Sequence, residues 1–282
     1  MHYSPDRKVV VDPQGLFNRL VTNQNGSYCF GKTGLLLHML RGLGYRVYPV
    51  QGRSNLNRGK HNVPPAFTPT THIMLLVQPL PESNTTYMVD VGYGGSGPVR
   101  PILLREGEVV EGATPTEKHR LTRGVMPGSS SVKAYQVHMS ENPAEQVWQL
   151  ECLHEKEGKR NVWELVYVFD EVEKYQVDID CSSHYVSTFD DGTMHAYSLI
   201  AVKNFWLDDS AIEHRSIGAM ILAGGTLKRT MGAHSEIVKV CTTEEERVEV
   251  LREYIGETVN EAWIDNIKTR KAALRNLEKT IP

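Results

Sequence analysis

The sequence lacks a long apolar run, an apolar leader and an excess of basic side chains. Its purely apolar runs extend over only a few residues, whereas a membrane-spanning helix needs roughly 20. The first residues show no apolar core of a secretory signal. Lys and Arg total 31 against 34 for Asp and Glu, for a net charge of -3. We therefore expect a cytoplasmic protein that binds neither a membrane nor nucleic acid.

Cysteine is also scarce and widely spaced. The chain has only Cys29, Cys152, Cys181 and Cys241, and no two of them form a C-x-x-C pair. Such spacing suits a reducing compartment better than a disulfide framework. For the same reason we expect no zinc site and no other bound metal.

What the chain does have is a change of periodicity along its length. Residues 13–22 and a second segment from about Ser27 to Gly42 space their apolar residues as amphipathic helices do. Residues 45–54, 72–78 and 87–91 have the β-branched and aromatic content of strands. The pattern predicts a helical start followed by a β section.

The remainder of the chain mixes strand and helix signals. Further strands are indicated by AYQVHM, VWQLECLHE and WELVYVF, then by residues 197–202, GAMILAGGTLKRTMG and SEIVKVCT. A polar helix with a capping box is predicted from Thr242 or Thr243, and it places Val248 and Leu251 on one face. The fold class is therefore α+β.

Cys29 stands at the predicted start of the second helix. The positive end of a helix dipole and its unpaired N–H groups favour a nucleophilic thiolate at that position. A cysteine beside a Leu-rich helix is, however, more often a small buried apolar residue. The assignment of Cys29 as a nucleophile therefore depends on whether it has catalytic partners.

His72 and Asp90 are those candidate partners, one on each strand of a predicted hairpin. An antiparallel register centred near residue 81 places them opposite each other, where the carboxylate can hold the imidazole Nδ1–H. The alternative is that His72 is a satisfied strand residue and Asp90 meets water at a turn. Burying an Asp inside the apolar run Met-Val-Asp-Val without a partner is costly, which favours the pair.

Cys29, His72 and Asp90 together supply a nucleophile, a general base and a residue that orients the base. Such a triad forms acyl thioesters readily. Whether the acyl group then passes to water or to an amine depends on the surrounding pocket, so the three residues do not identify the acceptor.

Three segments carry a family resemblance. NGSYCFGKTGLLLHMLRGLGYRVYPVQGRSN contains Cys29, THIMLLV contains His72, and VDVGYGGSGPVRPI contains Asp90. In this order and spacing they resemble the nucleophile, histidine and aspartate segments of the arylamine N-acetyltransferases, in particular the fungal branch. The resemblance continues through HYVST and GTLKRTMG and covers nearly the whole chain.

The resemblance implies a fold of three parts related to the cysteine protease and transglutaminase core. A helical bundle with the nucleophile spans 1–44, an antiparallel β-barrel spans 45–180, and an α/β lid spans 181–282. It also implies a ping-pong reaction in which acetyl-CoA acylates Cys29 and an arylamine or hydrazine takes the acetyl group. No permanent cofactor is implied. Coenzyme A contacts are expected at Gly92, Tyr93, Gly94, Gly95 and Tyr185.

The chain also departs from the family pattern. Asn25 replaces the usual Arg, Thr33 replaces a frequent Asn, and the match starts late, so the first N-terminal helices are expected to be lacking. Three alternatives to acetyl transfer stay open. They are a malonyl-CoA-dependent transferase with Arg53 or Arg100 near the acyl group, a transglutaminase-like hydrolase, and an inactive paralogue.

Overall fold

The computed structural model describes residues 2–60, 62–129, 146–155, 158, 161–189 and 194–274. They form two compact units. One unit is Tyr28–Ile179, and the other combines Met1–Ser27 with Asp180–Pro282. The division into 1–44, 45–180 and 181–282 stays a prediction.

The unit Tyr28–Ile179 is built on an eight-stranded antiparallel sheet. Its strands are β1 (Arg46–Ser54), β2 (His72–Gln78), β3 (Tyr87–Val89), β4 (Ile102–Leu103), β5 (Val109–Glu111), β6 (Glu117–Val125), β7 (Gln146–His154) and β8 (Glu164–Phe169). They are hydrogen-bonded in the order β4-β3-β2-β1-β8-β7-β6-β5.

The two ends of this sheet approach each other. Arg100, just before β4, donates to the carbonyl of Glu111 at 3.3 Å and to that of Gly112 at the end of β5. The sheet is therefore a nearly closed barrel. One buried cluster fills its interior, with Val50, Met74, Leu76, Met88, Leu121, Leu150, Val166 and Tyr167 among its members.

Strand β2 is buried on both faces because its outer face is covered by a helix. Successive strand residues point to opposite faces. Met74 and Leu76 belong to the barrel interior, whereas Leu75 and Val77 pack with Leu37 of helix α2 (Cys29–Gly42). This packing explains why HIMLLVQ is a continuous apolar run and not an alternating one.

The predicted second helix is confirmed as α2, which begins at Cys29, after Tyr28 in an extended conformation. Gly44 adopts a left-handed φ of 84° after the helix ends, as the glycine signal predicts. The Thr33 hydroxyl donates to the Ile73 carbonyl at 3.4 Å and ties α2 to β2.

The other unit has helices at its start and end around a four-stranded sheet. Its helices are α1 (Pro13–Phe17), which continues as a π-helix (Asn18–Thr22), most of α3 (Gln176–Thr188), α4 (Met194–Tyr197), and α5 (Glu244–Val250), followed by a π-helix (Leu251–Ile255) and a 3-10 helix (Glu261–Ile267). Its strands β9 (Ile200–Trp206), β10 (Ile217–Ala223), β11 (Thr226–Met231) and β12 (His234–Val240) form an antiparallel sheet in that order.

Local sequence signals set several of these boundaries. Asp12 caps α1 by accepting from the Gly15 amide at 2.9 Å. The predicted capping box of α5 is confirmed, with Thr243 and Glu246 as its two members. The sequence does not predict α3, because this segment is rich in Ser and Asp and has few apolar residues at helical spacing. The strand predicted at AYQVHM lies outside the described residues.

Within the part of the chain that the structure describes, no helix has the length and apolar character needed to cross a membrane.

A buried arginine organises the core of the second unit. Arg247 of α5 is fully buried and lies 2.5 Å from the Glu244 carboxylate. Its Nε donates to the Tyr3 hydroxyl at 3.1 Å, and Nη1 donates to the Ala272 carbonyl at 3.1 Å. A buried charge of this kind is tolerated only because each of its donors has an acceptor.

We expect Arg247→Ala to lower the free energy of unfolding by about 3–5 kcal/mol, because it leaves the Glu244 carboxylate buried without its counter-charge. Urea unfolding followed by circular dichroism measures this loss. Arg252→Ala is the control, since Arg252 is exposed on the next turn. Equal stability of the two variants would contradict the assigned role of Arg247.

Candidate active site

Cys29 is the first residue of α2, so its thiol lies at the positive end of a 14-residue helix. The residue is only 7% exposed. Its Sγ lies 3.8 Å from the carbonyl oxygen of Thr71, the residue immediately before β2. The packing of α2 on β2 therefore brings the thiol to the start of the strand that carries His72.

His72 and Asp90 are in direct contact in the barrel interior. The distance between His72 Nε2 and Asp90 Oδ2 is 2.6 Å. Both residues are buried. The structure thus brings together the histidine and the carboxylate that the hairpin analysis pairs.

Two details of the predicted geometry are wrong. A register centred at residue 81 would place Leu75 opposite Tyr87, but in the β2–β3 ladder Leu75 lies opposite Val89. His72 and Asp90 are therefore not direct cross-strand neighbours. Asp90 follows the end of β3, where it leaves the ladder and turns toward the imidazole. The contact is made by Nε2 and not by Nδ1.

The Asp90 carboxylate has a donor for each of its oxygen positions. Oδ1 accepts from the amides of Gly92 at 2.8 Å and Tyr93 at 3.1 Å. Oδ2 accepts from His72 and from the Tyr167 hydroxyl at 3.0 Å. Tyr167 has no local sequence signal that marks it as a site residue, since it lies on β8, far along the chain. Four hydrogen bonds to a buried carboxylate make its charged form stable.

The protonation states of the pair follow from these contacts. Burial lowers the pKa of His72, but the charge and hydrogen bond of Asp90, with smaller contributions from Cys29, outweigh it and raise this pKa to about 10. Burial raises the pKa of Asp90, but the His72 charge and the hydrogen bonds lower it below its ordinary value. At neutral pH the pair is therefore an imidazolium and a carboxylate.

Gly92 lies directly against the nucleophile. A Cβ atom at this position would lie 2.5 Å from Cys29 Cα and 2.8 Å from Cys29 Cβ. Only glycine lets the chain pass this close to α2. Gly92 therefore contacts the nucleophile itself, whether or not it also contacts coenzyme A.

The other predicted coenzyme A residues are distributed over both units. The Tyr93 ring lies 5.0 Å from the His72 ring, edge to face. Gly94 has a left-handed φ of 89° with open space where a Cβ would be, and Gly95 is exposed. Tyr185 lies on α3 in the other unit, stacked on Phe189 at 4.7 Å. Their contact with coenzyme A stays a prediction.

Cys29, His72 and Asp90 together form an arrangement suited to acyl-group transfer. A thiolate at a helix start can attack an acyl carbonyl, and an adjacent imidazolium can donate a proton to the leaving group. The buried carboxylate fixes the ring orientation.

A family model described as N-acetyltransferase matches residues 1–264. The chain belongs to the arylamine N-acetyltransferase family. The resemblance found in the three sequence segments is thereby confirmed. This family member is accordingly an enzyme, an acyltransferase whose donor substrate is an acyl-CoA.

Individual relatives of this acyltransferase fall into two groups. The chain is 27% identical over 276 residues to the N-malonyltransferase FDB2 of Gibberella moniliformis, and the aligned region covers 96% of this chain and 76% of that protein. It is 32% identical over 175 residues to the arylamine N-acetyltransferase of Mycolicibacterium smegmatis, and the aligned region covers 62% of this chain and 52% of that protein.

A solved structure confirms the α+β fold. The Mycobacterium marinum arylamine N-acetyltransferase, determined in complex with CoA, superimposes on this acyltransferase with a TM-score of 0.69. The sequences are 23% identical, and the match covers 96% of this chain and 87% of that one.

We expect Asp90→Asn to lower the pKa of His72 from about 10, because a neutral amide removes the charge that does most to oppose the effect of burial. Imidazole NMR resonances, assigned with His72→Gln, measure it. In the unaltered protein the His72 signals should stay in their protonated position through neutral pH. The raised pKa contributes stability that is complete below about pH 6.5 and is lost as the pH rises through about 10.

Tyr167→Phe is the control for that titration, since it removes one hydrogen bond to Asp90 and keeps the carboxylate. His72 should then remain protonated at neutral pH. A His72 ring that already titrates near pH 6.5 in the unaltered protein would contradict the assigned ion pair.

We expect Gly92→Ala to reduce the rate of acyl transfer on the order of 100-fold, because the new methyl group displaces Cys29 from its partner. Steady-state kinetics and the thermal midpoint measure the effect. Gly42→Ala is the matched control, since nothing lies within 4 Å of a Cβ built there. Full activity of Gly92→Ala would show that the turn after β3 can move away from α2 without a loss of catalytic rate.

Proposed function

We propose that the chain is an N-acyltransferase that carries the acyl group as a thioester on Cys29, with His72 as the proton carrier and Asp90 as the residue that orients it. The observation that supports this most is the 2.6 Å contact between His72 Nε2 and the buried Asp90 carboxylate. This pair of residues lies beside Cys29, the first residue of α2. All three residues belong to the unit Tyr28–Ile179.

In the first half-reaction the Cys29 thiolate attacks the thioester carbonyl of the acyl-CoA. The new carbon–sulfur bond forms as the bond to the coenzyme A sulfur breaks. The His72 imidazolium gives its proton to that departing sulfur, so that coenzyme A leaves as a neutral thiol. The products are an acyl-Cys29 thioester and a neutral imidazole.

In the second half-reaction the amine nitrogen attacks the acyl-Cys29 carbonyl. The neutral His72 takes a proton from the attacking nitrogen, and the carbon–sulfur bond to Cys29 breaks. The amide product leaves, and the thiolate–imidazolium pair is restored. An amine that is neutral at pH 7, such as an arylamine or a hydrazine, suits this step because its lone pair is free to attack.

Acetyl-CoA is the leading donor, and malonyl-CoA is the second candidate. The extent of similarity is the observation that keeps malonyl-CoA as a candidate, since the match to an N-malonyltransferase covers 96% of this chain and the match to an arylamine N-acetyltransferase covers 62%. Arg100 donates to backbone carbonyls at the closing edge of the barrel. Gly52 of β1 pairs with His72 of β2. Because successive strand residues point to opposite faces, the next residue, Arg53, points away from the face of the sheet that carries His72.

Coenzyme A is proposed to lie along Tyr93, Gly94 and Gly95. Tyr185, on the other unit, stays a separate candidate for binding coenzyme A. The open space beside Gly94 supports this proposal. Tyr93 adds an aromatic edge next to the imidazole, where it would border the acyl group.

We expect incubation with acetyl-CoA or malonyl-CoA, without an amine, to add a single acyl group to Cys29, because no acceptor is present to release the thioester. Intact mass and peptide mapping measure the adduct and identify the preferred donor. An arylamine should then discharge it as the N-acyl product. Cys29→Ser should accumulate no thioester, whereas Cys181→Ser, which changes an exposed cysteine, should behave as the unaltered protein.

Other outcomes identify the alternatives. Discharge of the adduct in water as fast as in the presence of amine would indicate a hydrolase. Absence of any adduct from a well-folded sample, with both donors, would indicate an inactive paralogue.

A further inference from the structure

The segment that follows Asp90 contacts both the nucleophile and the histidine. We call residues 92–97 the glycine loop. Gly92 lies against Cys29, and the Tyr93 ring lies 5.0 Å from the His72 ring. Further along, the Gly97 amide closes a turn by donating to the Gly94 carbonyl at 3.0 Å. The position of this loop therefore determines what surrounds Cys29 and His72.

Ser96, within the glycine loop, has an unfavourable backbone conformation. Its φ is 78°, a left-handed value that residues other than glycine rarely adopt. Such a conformation persists only where surrounding contacts impose it. The carbonyl of Ser96 accepts from the fully buried His119 at 3.1 Å, and its hydroxyl accepts from Arg58 Nη2 at 2.7 Å.

Arg58 acts on both halves of the loop. In addition to its contact with the Ser96 hydroxyl, its guanidinium charge lowers the pKa of Tyr93, although burial, the larger effect, raises that pKa. The Arg58 side chain is only 27% exposed, and its Nε lies 3.9 Å from a Glu164 carboxylate oxygen. One guanidinium thus contacts the strained residue and acts electrostatically on the tyrosine next to His72.

The far side of Ser96 is supported by the adjoining strands β6 and β7. His154 Nε2 lies 3.4 Å from the Ser96 hydroxyl and 3.5 Å from Cys152 Sγ, while its Nδ1 lies 3.6 Å from a Glu117 oxygen. The three side chains place metal-binding atom types within 4.8 Å of one another. Because Cys152 and Glu117 face different nitrogens of one ring, we interpret the group as a chain of contacts and not as a cage for an ion.

We propose that Arg58 is a positioning residue for acyl transfer, which holds Ser96 so that the glycine loop stays against Cys29 and His72. This inference rests on the proposed function of those two residues. Arg58 itself touches neither of the reacting side chains in this role. It acts through the loop.

A double-mutant cycle tests this role. We expect Arg58→Ala and Ser96→Ala each to slow acylation of Cys29 on the order of 10-fold. The double variant should be no slower than Arg58→Ala alone, because Arg58→Ala already removes the contact with the Ser96 hydroxyl. Rapid-quench mass spectrometry measures the acylation rate with acetyl-CoA and with malonyl-CoA. KM for the two donors should change by a similar factor, and His72 imidazole resonances should shift in both single variants.

Three further variants separate positioning from folding. Arg58→Lys keeps the charge and one donor, so it should recover part of the rate. Arg105→Ala, at a residue whose side chain is 72% exposed, should leave the rate unchanged. Ser96→Gly relieves the strained φ, so it should fold at least as stably as Ser96→Ala while lacking the hydroxyl.

Several outcomes would overturn the proposal. Additive effects in the cycle would show that Arg58 does not act through Ser96. A rise in KM confined to malonyl-CoA would make Arg58 a donor-binding residue. A lower thermal midpoint with unchanged acylation and unchanged His72 signals would make it purely structural. If the unaltered protein forms no adduct, the proposed function fails, and the His72 signals in Arg58→Ala still decide whether Arg58 positions the loop.

Discussion

The burial of the Asp90 carboxylate is the constraint on which the barrel unit depends. A carboxylate without partners in a protein interior would take up a proton, because water no longer stabilises its charge. Here its partners come from separate parts of the chain: an imidazolium from β2, a hydroxyl from β8 and two amides from the turn after β3. The strand order that places β2 and β8 on either side of β1 is therefore also the arrangement that keeps Asp90 charged.

The nucleophile is positioned by simpler means. The apolar face of α2 packs on the outer face of β2, and the Thr33 hydroxyl fixes the helix along the strand. Thr33 thus supplies a bracing contact of its own at a position where the family often has Asn. The start of the helix then falls next to the start of the strand, where Cys29 and His72 lie. The packing of α2 on β2 therefore brings Cys29 close to His72.

Much of this architecture could be predicted from the sequence because it depends on local patterns. The helix caps at Asp12 and Thr243 and the runs of β2 and β3 follow from spacing and residue type. The association of His72 with Asp90 follows from the cost of burying an aspartate in an apolar strand. That argument depends on energy and not on exact geometry, so it survives an error in the register.

The parts that could not be predicted depend on contacts between distant residues. The register of β2 against β3 depends on how the connection between them is held, in part by Arg46 of β1 donating to the Leu80 carbonyl. Tyr167 and Arg58 are separated from Asp90 by long stretches of chain, and no spacing rule links them to it. Their roles become visible only once the sheet has curved and brought its strands together.

The absence of a side chain at Gly92 has a consequence for how such sequences are read. Cys29, His72 and Asp90 are the residues by which an active chain would ordinarily be recognised, but the space between them is shaped by an atom that is missing. A chain that keeps all three and carries a larger residue at this position would have an intact set of reactive groups with the cysteine out of position. The glycine is therefore a mark of an efficient enzyme that a search for the three reactive residues alone would miss.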